Sequence, residues 1–148
     1  MTVRFGIETY EQVRQEAADL MLAHEAEVYR GMIPIQPDDA QFDWMDKNGQ
    51  LQVVAARDDG KLVGYHLTII RPHLHYAVLA GFVDTVYMSP ECRAGRTGMQ
   101  MIQYAEDMLR RRGVQWTTIG VRLIKDFSPL LIRLGYTEAE KLYRKELK

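Results

Sequence analysis

The sequence predicts an α+β fold built on a mixed, mostly antiparallel sheet, and three observations carry that reading. Residues 51–57 and 62–71 are apolar runs joined by Asp58-Asp59-Gly60-Lys61, a hairpin signal, and a third run of the same kind follows at 82–88. Two segments of helical period, residues 13–28 and 99–109, flank this meander. The order strand, helices, three-strand meander, helix, strand, helix, strand does not alternate regularly enough for a doubly wound sheet.

Each element has its own local signal. Val3 to Ile7 alternates as a short strand, after which Val13, Ala17, Leu20, Met21, His24 and Val28 recur at helical spacing behind Thr9, a capping residue. Pro34 and Pro37 break the chain, Asp38 caps a shorter helix containing Phe42 and Met45, and Asn48-Gly49 ends it. The two hairpin strands follow. Pro72-His73-Leu74-His75-Tyr76 interrupts the pattern before a third strand from Phe82 to Met88, which stops at Pro90. The next helix opens near Thr97, places Met101, Ile102, Ala105, Met108 and Leu109 on one face, and ends with Arg110, Arg111 and Arg112 before Gly113. Trp116 to Val121 reads as a strand. Ser128-Pro129 reads as the cap and first turn of a short helix closing at Gly135, and Tyr136 to Leu147 as final strand material.

A chain of 148 residues, 47% hydrophobic and 26% charged, with no repeat or low-complexity tract, fits a single domain spanning residues 1–148. Its only cysteine, Cys92, excludes an intrachain disulfide and a cysteine-built zinc site and suits a reducing compartment. No basic region followed by an apolar block opens the chain, and no segment approaches the ~20 apolar residues that span a bilayer. These features predict a cytoplasmic protein without a membrane partner. The net charge of -1 hides an asymmetry: residues 1–50 carry ten acidic and four basic side chains, residues 51–148 ten and fifteen. Two differently charged surfaces are expected. The Arg110–Arg112 run is what a helix C-terminus attracts, and in a slightly acidic chain it does not point to nucleic acid.

The stretch Ser89-Pro90-Glu91-Cys92-Arg93-Ala94-Gly95-Arg96-Thr97-Gly98-Met99 is a small basic turn between a strand and a helix. Such a turn presents unpaired N–H groups and the positive end of the helix dipole to one point, where an anion fits. Gly95 and Gly98 permit close approach of backbone to ligand, while Arg93 and Arg96 add charge that can pair with phosphate oxygens. Neither the Gly-Lys-Ser/Thr of a P-loop nor the three glycines of a dinucleotide fingerprint are present.

Taken with the strand Val83 to Met88, Pro90, and the later Leu130-Leu131-Ile132-Arg133-Leu134-Gly135-Tyr136, this turn resembles that of the GNAT acetyltransferase superfamily, and the likeness covers essentially the whole chain. Arg93 and Gly98 match the ends of the family's turn, and Arg96 takes the place of its middle glycine. A narrower likeness, on the segment containing Pro72-His73-Leu74-His75-Tyr76, is to GNAT proteins often encoded by phages or prophages. The resemblance implies a sheet splayed at its centre with helices on both faces, acetyl-CoA as co-substrate, and an amine acceptor: a small molecule, a protein lysine or an N-terminal amine. A homodimer is a further form that it implies.

By the same resemblance, backbone groups near Val86 and Met88 pair with the pantetheine arm, and the N–H groups of Arg93, Ala94, Gly95, Arg96, Thr97, Gly98 and Met99 receive the pyrophosphate. The Met88 N–H is the implied oxyanion donor. Asp84 is the candidate base, against the alternative that it only accepts structural hydrogen bonds. Another position used for the base in the family is Gly120 here. The tyrosine that serves many relatives as acid is replaced by Leu131, leaving water, Tyr87 or Tyr143 as substitutes. His73 and His75, two apart, are carried as acceptor-site residues; a metal pair there lacks a third ligand, so no metal is expected. His24 and His66 read as structural, and Cys92 has no paired histidine that would make it a nucleophile. In the resembled fold the acidic first third borders the acceptor, so Glu25, Glu27, Asp38 and Asp39 are expected to face a cationic amine. The rival reading is a GNAT-fold module that binds an acyl-CoA or a protein without turnover, favoured by Leu131 and Gly120.

Overall fold

A computed structural model describes residues 2–28 and 33–147. The first strand, β1 (Val3–Glu8), runs into α1 (Tyr10–Val28) through a reciprocal cap: the Gln12 N–H donates to Thr9 Oγ1 at 3.1 Å and the Thr9 N–H donates to Gln12 Oε1 at 2.8 Å. After the proline-bearing segment, Asp38 accepts the Gln41 N–H at 3.0 Å and opens α2 (Asp39–Lys47). The hairpin of β2 (Leu51–Asp58) and β3 (Lys61–His73) turns through Asp59 and Gly60, with φ of 48° and 81°. Two positive φ values make the type I′ turn that matches strand twist, and the Asp-Gly pair supplies them.

Beyond it lie β4 (Val78–Met88), a single 3₁₀ turn (Pro90–Cys92), α3 (Thr97–Arg111), β5 (Trp116–Ile119) and α4 (Ser128–Arg133). The sheet order is β1-β2-β3-β4-β5, antiparallel except for the parallel β4–β5 pair. Helices cover both faces. Leu51, Val53 and Ala55 pack with Tyr10, Val13 and Ala17 of α1 and with Phe42 and Met45 of α2, whereas Val54, Ala56 and Val63 pack with Met101 and Ala105 of α3. Residues 51–56 are therefore all buried, which is why β2 reads as a continuous apolar run.

Four boundaries differ from the sequence expectation. The β3–β4 arm is longer: Pro72 lies within β3 opposite Leu79, and the turn falls at residues 74–77, with Ala77 at φ 51°. β2 begins opposite Ile69, so the outer arm has one side without a strand, the situation in which a strand proline is tolerated. β5 stops at Ile119 and not Val121, because its partner β4 turns away there. At α4 the cap lies upstream of Ser128: the Asp126 carboxylate accepts both the Ser128 N–H, at 2.8 Å, and the Ser128 hydroxyl. Residues 136–147, expected as a strand, form none, since they have no neighbouring strand to bond.

Candidate active site

The site follows from a defect in strand pairing. Leu67 lies opposite Thr85 and Thr68 opposite Val83, so Asp84 is an extra residue with no counterpart on β3. Such a bulge bends its strand. Parallel pairing with β5 ends at the adjacent Val83–Ile119 position, and β4 continues from Asp84 to Met88 with no β5 residue beside it. The sheet is thus splayed between β4 and β5, as expected of the resemblance, although among the described residues β5 is its edge strand and the splay is not at the centre.

A cleft of about 520 Å³ opens there, walled by α1 (Met21, His24, Glu27), β4 (Val83 to Met88), Gly98 and Met101 of α3, and Ile119, Gly120, Arg122 and Lys125 after the parting. Asp84, Val86, Met88, Arg93 and Gly98 all line it. Desolvation by the cleft walls holds the Asp84 carboxyl above the ordinary aspartate range. The phosphate-type turn sits at the end of β4. Gly95 has φ 70°, and Arg96 enters the helix without a side-chain cap. The first backbone bond of α3 runs from the Gln100 N–H to the Arg96 carbonyl at 2.9 Å, leaving the N–H groups of Thr97, Gly98 and Met99 ahead of the ladder. A Cβ built on Gly98 meets nothing within 4 Å, so space for a ligand lies against its backbone. Ala94, Gly95 and Arg96 are exposed on this turn.

Arg93 departs from its expected use. Its Nε donates to the Met88 carbonyl at 2.7 Å, its Nη2 donates to both Glu27 carboxylate oxygens at 2.8 and 2.9 Å, and its guanidinium stands over the Tyr87 ring. The side chain ties α1 to the end of β4 and does not reach forward over the turn. Of the two arginines, Arg96 is the one left to meet a phosphate by charge.

His73 and His75 are not brought to the cleft. They lie on the projecting arm, where the His73 ring packs against Tyr76 and Trp116 and the His75 N–H donates to His73 Nδ1 at 3.3 Å. Among the described residues no group of three or more His, Cys, Asp or Glu could hold a metal. Glu25 and Glu27 do line the cleft, while Asp38 is spent on its cap and Asp39 accepts the Tyr10 hydroxyl at 2.7 Å. Leu131 is buried with 7% exposure, and Tyr143 is 87% exposed and outside the cleft lining, whereas Tyr87 is part of the wall. Burial raises the Cys92 thiol pKa, which disfavours the thiolate a nucleophile needs.

Sequence reasoning missed one pair. His24 Nδ1 lies 3.0 Å from the Tyr65 hydroxyl, and its ring stacks on Tyr87 at 5.0 Å, all within the cleft wall. Burial pushes the His24 pKa down and the Tyr65 pKa up, so both are neutral at pH 7. The helical position of His24 was a visible signal; that its stripe borders a cleft as well as a core was not.

Known proteins resemble this chain in sequence and in fold. Over 90 residues the chain is 26% identical to aminoalkylphosphonate N-acetyltransferase of Salmonella typhimurium, a match covering 60% of this chain and 58% of that protein's length. Ribosomal-protein-alanine N-acetyltransferase from Brucella melitensis biovar Abortus 2308 superposes with a TM-score of 0.76 at 19% identity, over 99% of this chain and 100% of that one. An aminoglycoside acetyltransferase from an uncultured soil metagenomic sample, solved with sisomicin, gives 0.77 at 12% identity over 99% and 97%. At these identities the two structures speak for the fold. No helix among the described residues is long and apolar enough to cross a membrane. Residues 18–124 match the model of the Acetyltransferase (GNAT) family, and with the splayed strands and open helix turn in place, the chain belongs to that family.

Proposed function

We propose that this protein is an acetyl-CoA-dependent N-acetyltransferase that moves an acetyl group to an amine by direct attack on the thioester. The observation that carries the reading is the parting of β4 from β5 at Val83–Ile119 with Asp84 at the bulge, a slot that ends at the open turn around Gly98. The residues present fit acetyl-CoA. Backbone groups of Val86 and Met88 face a side without a strand, where an extended arm would pair as an added strand does. The Arg93 N–H is spent on the Pro90 carbonyl at 3.2 Å, so of the expected set the N–H groups from Ala94 to Met99, with the Arg96 charge, suit a pyrophosphate. When bound, acetyl-CoA supplies an acetyl group activated as a thioester.

In this reading Asp84 takes the proton of the acceptor ammonium, directly or through one water, leaving the amine lone pair free to form the new N–C bond. The Met88 N–H meets the charge that builds on the carbonyl oxygen. Attack leaves the nitrogen with one proton too many; as the C–S bond breaks the departing sulfur takes a proton from water or from Tyr87, which replaces the hydroxyl that Leu131 lacks, and the proton shed by the new amide nitrogen restores that donor. The names of the relatives above support an amine acceptor, without deciding between a small molecule and a protein. A cytoplasmic single-domain enzyme of the phage-type subgroup is part of the same proposal.

A second reading, binding of acyl-CoA without turnover, is favoured by the buried Leu131 at the usual acid position. One experiment separates the two: free-thiol release from acetyl-CoA, measured against a panel of alkylamines, aminophosphonates, aminoglycosides and peptides. Thiol release that depends on the added amine supports the enzyme. Acetyl-CoA binding without amine-dependent release across the panel supports the binding module.

A further inference from the structure

The charges that line the cleft do not all answer one another. Arg14 is held by Asp43 at 3.3 Å, Arg93 by Glu27, and Asp126 accepts the Ser128 N–H. Among the described residues the side chains of Arg122, Glu25 and Asp84 enter no hydrogen bond or ion pair, and all three belong to the cleft lining. Lys125 is half committed. Its Nζ lies 3.9 Å from a Glu27 oxygen that already receives Arg93 at 2.9 Å, and its side chain is 52% exposed. A charge-assisted hydrogen bond would be about 1 Å shorter. Chain geometry sets the two cations side by side: the Lys125 N–H donates to the Arg122 carbonyl at 3.0 Å across a two-residue turn, and the pair forms an isolated antiparallel bridge. Residues opposed in this way send their side chains to the same face, here the cleft. They stand towards α1, with Lys125 beside Glu27. Burial first, and the charges of Arg122 and Arg93 behind it, lower the His24 pKa against the pull of Glu27. The open turn that suits a pyrophosphate lies elsewhere, at the start of α3.

We propose that Arg122, assisted by Lys125, is an anion subsite for the acceptor, so that the amine acetylated here is a small molecule that also carries a carboxylate or phosphonate group. The inference rests on the acetyl-transfer reading above. A plain ammonium answers the free carboxylates of Asp84 and Glu25 and leaves both cations without a counter-charge; a polyamine would in addition be repelled by them. A molecule with an ammonium and an acid group answers both signs. Arg122 supplies the planar fork that takes two oxygens of a carboxylate or phosphonate at once, and Lys125 adds a mobile point charge beside it. The body that joins the two groups is apolar, because Met21, Ile35, Phe127 and Leu130 share the same wall. Acceptors of this class are amino acids with apolar side chains and their phosphonate analogues. The acidic first third of the chain therefore does not select a polycation, since Glu27 is spent on Arg93 and Asp38 and Asp39 on α2 and Tyr10.

The test is binding of matched compounds in the presence of CoA, which has no acetyl group to give, so the readout does not depend on turnover. Leucine, methionine and phenylalanine, and the aminophosphonates with the same side chains, are each compared by calorimetry with the amine that lacks only the acid group. At least one acid should bind about tenfold or more tightly than its matched amine, and the comparison of the two series separates carboxylate from phosphonate. Arg122→Ala should reduce that preference about tenfold and Lys125→Ala by less. Arg144→Ala, an equal change of net charge outside the cleft lining, should leave it as it is. Circular dichroism checks the fold of each variant. Acids that bind no better than their amines overturn the proposal. So does a preference that survives Arg122→Ala, or a loss in that variant that falls on CoA affinity and not on the acids. Thiol release from acetyl-CoA tells this failure from failure of the enzyme reading. Acetylation of the plain amines without use of the acids removes the subsite and keeps the enzyme, whereas Arg122-dependent binding of the acids without release for any amine keeps the subsite and removes the enzyme.

Discussion

The imidazole of His24 and the hydroxyl of Tyr65 meet at 3.0 Å, joining α1 to β3 across 41 residues of sequence at the floor of the cleft. Tyr65 is buried, stands 5.8 Å from Tyr87 ring to ring, and belongs to the α1-facing core. Removing its hydroxyl leaves the imidazole nitrogen without that partner in a desolvated place. Tyr65→Phe should therefore lower stability by about 1 kcal/mol in urea denaturation at pH 7.5, the net worth of a neutral hydrogen bond. A cycle with His24→Phe should show the loss to be shared, the double variant costing less than the two single changes added.

Asp84 makes opposite demands on rate and stability. Its pKa is raised by desolvation, so the folded protein resists ionising it and its charge at neutral pH costs stability. Asp84→Asn should leave stability equal or higher, while kcat falls about a hundredfold or more if the carboxylate is the base. In the wild type the rate should decline as pH falls through the Asp84 pKa, above the usual aspartate value, and the Asn variant should lose that limb. A variant retaining full turnover across pH places the base elsewhere.

Gly98 separates ligand contact from folding. A Cβ there meets nothing within 4 Å, and the residue sits in the first turn of α3 without positive φ. Gly98→Val should fold with stability within about 0.5 kcal/mol of wild type, since Val is no worse a helix former than Gly. Acetyl-CoA affinity, measured by calorimetry, should nonetheless fall at least tenfold, because the new methyl groups occupy the space from which a pyrophosphate would reach the backbone. Unchanged affinity in a folded Val variant would sink the phosphate assignment.

How much of this was legible depended on the range of the signal. Thr9, Asp38 and Asp59-Gly60 act on residues within a few positions, so their capping and turn chemistry could be read directly, as could the apolar faces of β2 and α3. The turn at Arg93–Gly98 and the splay were legible through resemblance. What stayed hidden is long-range. Glu27 engages Arg93 across 66 residues, and nothing local distinguishes that carboxylate from Glu25, which lies on the same helix. His73 and His75 read as acceptor-site residues only through the segment that resembles a GNAT subgroup, yet the longer β3–β4 arm carries them beyond the cleft. Residues 136–147, expected as strand material, are rich in Glu and Lys, which strands disfavour, and no neighbouring strand overrides that preference.

His66 offers a test of the buried interior on the other side of the sheet. It is almost completely buried on β3, its Nδ1 lying 3.4 Å from the Thr68 hydroxyl oxygen, and desolvation lowers its pKa from 6.5 to about 4. Above pH 6.5 the folded and unfolded chains both hold this imidazole neutral, and it adds no pH dependence. Below pH 6.5 the unfolded chain takes up a proton that the folded one refuses until about pH 4, so acid favours unfolding throughout that window. The loss should run at about 1.4 kcal/mol per pH unit and approach about 3 kcal/mol in total. Other groups titrate nearby: Glu16 and Asp126, with lowered pKa values, act in the same direction, and Asp84 and Glu106, with raised ones, oppose it. The difference between wild type and His66→Gln isolates the one residue. Glutamine costs some packing at every pH but carries no proton, so its deficit relative to wild type should shrink, and can reverse, between pH 6.5 and 4 in urea denaturation. A deficit constant over that range would mean that His66 takes up its proton as readily in the fold as in the unfolded chain.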